Sequence, residues 1–340
     1  MFVSKFINSI LLKKILIIQT ASIGDVILAT PIIEKLHDFF PDALIDFLLK
    51  KGNESLFINH PKLNKLLILD KKNKKIQNLF KVFELVRNTK YDYIINIQRF
   101  ASSGLITAFS GAKKTIGFKK NPFSIFFNKR IEHNIDPKTE IHEVERNLKL
   151  IENFTNKEKY PVKLYPSQKD FARMSQYKTN SYICISPASL WFTKQYPIEK
   201  WIEFVKDIPK NYYVYFLGSK TDFELCEKII KDSDFQNTLN FAGKLSFLES
   251  ATLMKDAQMN FVNDSAPMHL ASSVNAPLSA IFCSTITNFG FGPLSDNSAV
   301  IEIDYELNCR PCGLHGHKQC PKIHFKCAYE IKKEQLLMRI

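Results

Sequence analysis

KILIIQTASIGD, from Lys14 to Asp25, is the stretch that decides how the rest of the chain is read. Lys14–Gln19 is a short isoleucine-rich apolar run without alternation, the pattern of a strand covered on both faces. Thr20–Asp25 is a polar turn containing a glycine. Val26–Phe40 then has helical spacing, with Pro31 in its first turns, where a missing N–H is best tolerated. Strand, turn and helix in that order open a parallel α/β sheet. The unit recurs outward from there. Ala43–Leu49, Leu66–Leu69 and Tyr93–Ile97 read as strands, and Glu54–Asn59, Ile76–Thr89 and Ser103–Ser110 as helices. Residues 111–138 read as irregular, basic and aromatic, and Glu140–Asn153 as a further helix.

The second half restarts the pattern. Tyr182–Ile185, Tyr212–Leu217, Leu239–Asn240, Gln258–Val262 and Leu278–Phe282 read as strands. Pro197–Asp207, Thr221–Lys231, Phe247–Asp256 and Ala266–Val274 read as the helices between them. Two doubly wound parallel-sheet domains facing across a cleft account for this order, placed at residues 1–165 and 166–320. Residues 321–340 are expected to pack back toward the first domain. With 340 residues, 45% of them apolar, the chain can fill two cores. Ligands of such sheets sit beyond the carboxyl ends of the strands, so the strand-to-helix loops are where chemistry is sought.

Three loops carry it. In the first, Gly24 permits a tight turn and Asp25 begins a helix, as an N-terminal cap or as a general base facing the cleft. The second, Ser186 to Pro197, offers Ser189, Thr193 and Lys194 to a phosphate, Lys194 neutralising a leaving diphosphate. In the third, Asn263-Asp264-Ser265-Ala266-Pro267-Met268-His269, Asp264 and Ser265 can cap the following helix. His269 lies one turn in and can donate to a phosphate or ribose. G-x-G-x-x-G and G-x-x-x-x-G-K-[ST] are both absent, which argues against a nicotinamide dehydrogenase and a P-loop phosphotransferase.

Taken together, Ser22-Ile23-Gly24-Asp25, Pro187…Lys194…Pro197 and Asn263-Asp264-Ser265…His269 resemble the bacterial heptosyltransferases, glycosyltransferase family nine, over about Lys14 to Tyr329. The resemblance implies a GT-B fold of two Rossmann-like domains. It implies inverting, metal-independent transfer of a sugar, by default heptose from ADP-heptose, to a lipopolysaccharide core or related cell-envelope saccharide. Carried onto this chain, it makes Asp25 the base and Lys194 the stabiliser of the donor diphosphate. Ser189, Thr193, Asp264, Ser265 and His269 become donor-binding residues, and Asp222 a contact to the nucleoside. Ala266 stands where many relatives have glycine. An anionic, lipid-linked acceptor would give Ser22, Gly24, Lys113, Lys114, Lys119, Lys120 and Arg146 a binding task. A non-catalytic sugar- or nucleotide-binding protein of this fold, and a GT-B enzyme using another nucleotide sugar, are the rival readings.

Lys and Arg exceed Asp and Glu by 13, which suits anionic membrane or phosphorylated saccharide; nucleic acid is not an expected partner. The apolar N-terminus lacks the charge order and cleavage site of a signal peptide. Phe2, Phe6, Ile7, Ile10 and Leu11 approximate a helical face suited to a membrane surface. A cytoplasmic enzyme peripheral to the inner membrane is expected. Cys184, Cys226 and Cys283 lie in apolar runs as core thiols. Cys309, Cys312, Cys320 and Cys327 leave three states open: structural zinc, paired or redox-active cysteines, or reduced packing thiols. No cofactor is required by the chemistry inferred.

Overall fold

A computed structural model describes residues 12–340; the candidate membrane face at Phe2, Phe6, Ile7, Ile10 and Leu11 lies outside the described residues. The first sheet is built from β1 (Lys14–Ile18), β2 (Leu44–Lys50), β3 (Lys65–Leu69), β4 (Tyr93–Asn96), β5 (Lys114–Phe118) and β6 (Lys129–Ile131). The second comprises β7 (Tyr182–Ser186), β8 (Tyr213–Phe216), β9 (Thr238–Asn240), β10 (Met259–Asn263), β11 (Leu278–Ile281) and β12 (Ser298–Ile301). Their orders are β3-β2-β1-β4-β5-β6 and β9-β8-β7-β10-β11-β12, every pairing parallel. Six added to each strand number of the first order gives the second. Each sheet therefore changes winding direction between its first and fourth strands, β1/β4 and β7/β10. A crevice opens at such a switch point, beyond the strand ends. The loops after β1, β7 and β10 are the three that the sequence singles out.

Burial explains the central strands. Ile15, Leu16, Ile17 and Ile18 are completely buried, each side chain contributing roughly 1.5–3 kcal/mol by leaving water. The single helix expected over Val26–Phe40 is instead two, Ile23–Ile27 and Thr30–Phe39. Pro31 cannot donate to the carbonyl of Ile27, and the Thr30 hydroxyl donates to it at 2.7 Å instead. The stretch read as irregular contains β5 and β6. Gly117 in β5 lies under the Phe127 ring, where a Cβ would come within 2.6 Å of Cε2. The glycine that weakens the strand pattern is thus demanded by packing. β12 also escaped the sequence reading, being short and half exposed.

The first domain closes on itself through residues 147–165. Lys35 Nζ donates to the carbonyls of Asn156 (2.6 Å) and Glu158 (2.8 Å), and Tyr165 Oη to Glu34 Oε2 (2.8 Å). The next helix, Gln168–Met174, packs on Phe247–Asp256 beneath the second sheet. Residues 321–340 do not return to the first domain. Helix Lys333–Leu337 packs on helix Ile198–Lys206, and Ile331 and Leu336 enter the core of the second domain. Lys332 pairs with Asp304 at 2.7 Å and Arg339 donates to Asn297 at 2.7 Å. The apolar residues of this tail match a face that the second sheet itself leaves open, so the shorter route wins.

Candidate active site

A cleft of about 1090 Å³ lies between the carboxyl ends of the two sheets. Its first-domain wall begins at the turn after β1. Ser22 caps helix Ile23–Ile27 and forms a reciprocal box with Asp25. The backbone N–H and hydroxyl of Ser22 both donate to Asp25 Oδ2, at 3.1 and 2.5 Å. Among the described residues Oδ1 has no hydrogen-bond donor, and the half-buried carboxylate lines the cleft. Capping and base chemistry are therefore not alternatives: one oxygen fixes the side chain and the other faces the space between the domains. A Gln98–Gln19 amide hydrogen bond ties the loop after β4 to the loop after β1, setting Arg99 and Phe100 on the same wall.

Lys194 stands on the opposite wall, in the short helix Phe192–Lys194 of the loop after β7. Its ammonium lies 2.6 Å from Asp264 Oδ2, both side chains largely buried. The Thr285 hydroxyl donates to the same oxygen at 2.6 Å. Asp264 is thus a counter-ion that holds Lys194 extended, and a carboxylate so placed would repel a diphosphate rather than bind it. Asn263 braces the loop, donating to Pro187 O (2.7 Å) and accepting from Tyr196 N (2.9 Å). Ser265 occupies the N-cap of helix Ala266–Ser272 without a side-chain capping bond. Ser189 also lines the cleft.

His269 sits where the walls meet. It is buried, its Nδ1 has no hydrogen-bond partner among the described residues, and Gly24 lies against its ring. A Cβ on residue 24 would come within 2.9 Å of His269 Cδ2, so the glycine lets helix Ile23–Ile27 approach helix Ala266–Ser272. Burial first, then the nearby His142 and Lys194, pushes the imidazole down to about 3. It is neutral at ordinary pH, a hydrogen-bonding group rather than a cation. Asp222 reproduces the Asp25 turn beside β8: Ser219 N and Oγ each donate to its Oδ2 at 2.7 Å, and it too lines the cleft.

Several sequence-predicted residues are placed elsewhere. Thr193 is buried away from the cleft, its hydroxyl oxygen accepting from Ser284 Oγ (3.0 Å) and His317 N (2.7 Å). It clips the 313–317 loop in place and is out of reach of a ligand in the cleft. Lys113 and Lys114 lie at the amino end of β5, the end away from the crevice, and Lys113 pairs with Asp92 at 2.7 Å. Arg146 is buried between Asn134 O (2.8 Å), Glu143 Oε2 (2.9 Å) and Phe289 O (3.0 Å), a latch between the domains. The cations that do line the first wall are Arg99 and Lys120, just past the carboxyl ends of β4 and β5. Lys120 is among the basic residues the sequence offers to an anionic acceptor, and Arg99, two residues past the strand read at Tyr93–Ile97, is the one it missed.

Two further groups come from outside the three loops. His133, bonded through Nε2 to Glu143 (2.9 Å), lines the cleft with that carboxylate. His315 is brought over the opening by the 313–317 loop, near enough to Lys194, Arg99, Asp25 and Asp264 for all four charges to act on it. Burial and the two cations lower its affinity for a proton. No sequence signal near the motifs announces it. Cys309, Cys312, Cys320 and Cys327 are free thiols, and among the described residues no three His, Cys, Asp or Glu are gathered to hold a metal ion.

Two matched doubly wound parallel sheets with a cleft between their carboxyl ends make the GT-B fold. Residues 79–322 match the profile of glycosyltransferase family 9 (heptosyltransferase), and the chain belongs to that family. It is 28% identical over 292 residues to lipopolysaccharide heptosyltransferase 3 of Escherichia coli, covering 81% of this chain and 84% of the relative. Among solved structures, a family 9 glycosyltransferase from Veillonella parvula superposes with a TM-score of 0.83 at 21% identity, covering 96% of each chain. The E. coli ADP-heptose lipopolysaccharide heptosyltransferase II superposes at 0.78 and 20% identity, covering 96% of this chain and 97% of that one.

Proposed function

We propose that the protein transfers a heptose from ADP-heptose to a lipopolysaccharide core or related envelope saccharide, with inversion and without a metal cofactor. The observation that carries this reading is Asp25, with one carboxylate oxygen open, across the same cleft from the braced ammonium of Lys194. The sugar and nucleotide follow the names borne by relatives, lipopolysaccharide heptosyltransferase and ADP-heptose heptosyltransferase.

Asp25 Oδ1 takes the proton of the acceptor hydroxyl as its oxygen bonds to the anomeric carbon. The bond from that carbon to the diphosphate oxygen breaks on the opposite face, and the diphosphate leaves with the electron pair. Attack opposite to departure inverts the centre. Lys194 turns from Asp264 toward the leaving group and supplies the charge a divalent ion would otherwise supply. His269 and Ser189 are placed to donate hydrogen bonds on the same wall, and Asp222 meets the nucleoside. Arg99 and Lys120 receive the anionic acceptor.

Replacing Asp25 by Asn tests the assignment. Turnover should fall about a hundredfold to ten-thousandfold, while ADP binding, followed by calorimetry, stays as in the wild type. Undiminished turnover in that variant would remove Asp25 from the mechanism. Failure of the wild type to bind any nucleoside diphosphate would remove the transferase reading in favour of a binding module.

A further inference from the structure

Outside the cleft, the largest unexplained feature is one face of the first domain. Ile76, Phe80, Phe100, Phe109, Ile125 and Phe126 are each 43–70% exposed. They come from helix Lys75–Thr89, helix Ala101–Ala108 with its flanks, and the short helix Ser124–Phe126, which pack against one another in that order. Contact runs on through the side chains. The Phe109 ring lies 5.6 Å from that of Phe126, and Arg87 donates to Phe109 O at 2.9 Å. On helix Lys75–Thr89, Ile76, Phe80 and Arg87 share one stripe at helical spacing, with Val82 and Val86 turned to the sheet. At the other end of the face, Phe100 reaches the lip of the cleft beside Arg99 and Lys120. An apolar surface of this extent on a water-soluble fold marks an interaction site.

Charge identifies what covers it. Residues 71–130 hold fourteen Lys and Arg against two Asp and Glu, a formal +12 out of +13 for the whole chain. Few of these charges are neutralised: Asp92 pairs with Lys113, and Glu132 with Lys119. Lys74, Lys75, Lys81 and Lys120 flank the phenylalanines, with Glu84 the acidic residue of that helix. Cations around exposed aromatic and aliphatic side chains match the two layers of an anionic bilayer surface, headgroups outside and acyl chains within. A nucleic acid would use the charge but leave Ile76, Phe80, Ile125 and Phe126 in water. No helix among the described residues is long and apolar enough to cross a membrane.

We propose that the face formed by Ile76, Phe80, Phe109, Ile125 and Phe126 with its surrounding lysines docks the protein on an anionic phospholipid surface, with the mouth of the cleft at its edge. A lipid-linked acceptor then meets Arg99 and Lys120 without leaving the bilayer. The surface is separate from the transfer chemistry, so loss of vesicle binding and loss of turnover are independent results.

Co-sedimentation of the full chain with phosphatidylcholine vesicles, with and without phosphatidylglycerol, tests it. The wild type should bind the phosphatidylglycerol vesicles and stay soluble with phosphatidylcholine alone. Each of Phe80→Ser and Phe126→Ser should weaken binding about tenfold, with ADP binding unchanged as the check on folding. Lys74→Gln with Lys81→Gln should weaken it further and reduce its sensitivity to salt. Wild type that ignores anionic vesicles, or serine variants that bind as well as it does, would overturn the proposal. So would tighter binding to single-stranded nucleic acid that the serine substitutions leave untouched.

Discussion

The two domains are the same scaffold put to different electrostatic uses. On the first wall the functional groups are open: Asp25 keeps one oxygen free, and Arg99 has no carboxylate partner among the described residues. On the second wall they are sealed: Lys194, Asp264 and Thr285 form a closed set, and His269 is buried and neutral. An open wall can accept saccharides of varied shape, whereas on the sealed one an anion must draw Lys194 away from its counter-ion. On the proposed mechanism Lys194 leaves Asp264 to meet the donor, so stability and binding are coupled there.

That coupling is where the comparison is most easily broken. Lys194→Ala leaves Asp264 buried without its cation and should cost about 3 kcal/mol of stability in a denaturant titration. It should also weaken ADP binding at least about tenfold by calorimetry. Removing both partners, Lys194→Ala with Asp264→Ala, should restore most of the stability and none of the binding. If the double variant is no more stable than the single, Asp264 is not held there as a counter-ion.

Gly24→Ala probes the seam between the walls. Its methyl group meets the His269 ring at 2.9 Å, so a loss of about 1–3 kcal/mol is expected. A Gly24→Ala/His269→Ala pair should recover part of it, as thermal melts of the four proteins would show. Additive losses would mean that the two residues do not press on each other.

The effect spread most thinly, over several pH units, is the pH dependence of the sealed wall. His269 is held below its ordinary 6.5, so the unfolded chain takes up a proton first as pH falls. Its burial is fully stabilising above about pH 6.5, and that contribution drains away as pH drops toward about 3. His60, buried in the first domain and lowered to about 4, acts in the same direction. Both the wild type and His269→Asn contain His60, so their difference isolates His269. From about pH 6 to about pH 4 it should change by about 1.4 kcal/mol per unit. A constant difference across that range would show that the imidazole titrates normally.

How much of this could be read from the sequence follows from the same physics. Doubly covered strands such as Ile15–Ile18 announce themselves as unbroken apolar runs, and the loops after β1, β7 and β10 follow from them. β5 was hidden because Thr115 and Gly117 answer to tertiary neighbours, Thr115 to Asn128 and Gly117 to the ring of Phe127. With the strand unseen, Lys113 and Lys114 at its start read as acceptor cations on equal terms with Lys119 and Lys120 past its end, and of the four it is Lys120 that lines the cleft. Thr193 reads as a phosphate-facing hydroxyl until the 313–317 loop, far along the chain, is seen to occupy it. Lone spacing cannot show which partner reaches a side chain first. The split of the first helix, by contrast, was written in Thr30-Pro31 all along, through a threonine able to stand in for the missing N–H.

The shared strand order has a further effect. With both sheets parallel and both carboxyl edges turned to the cleft, the helices that follow β1, β8 and β10 start at its rim. Their macrodipoles converge there, positive ends inward from both sides. The gap between the domains therefore carries a field favouring an anion that owes nothing to any ionisable side chain, present at every pH at which the protein is folded.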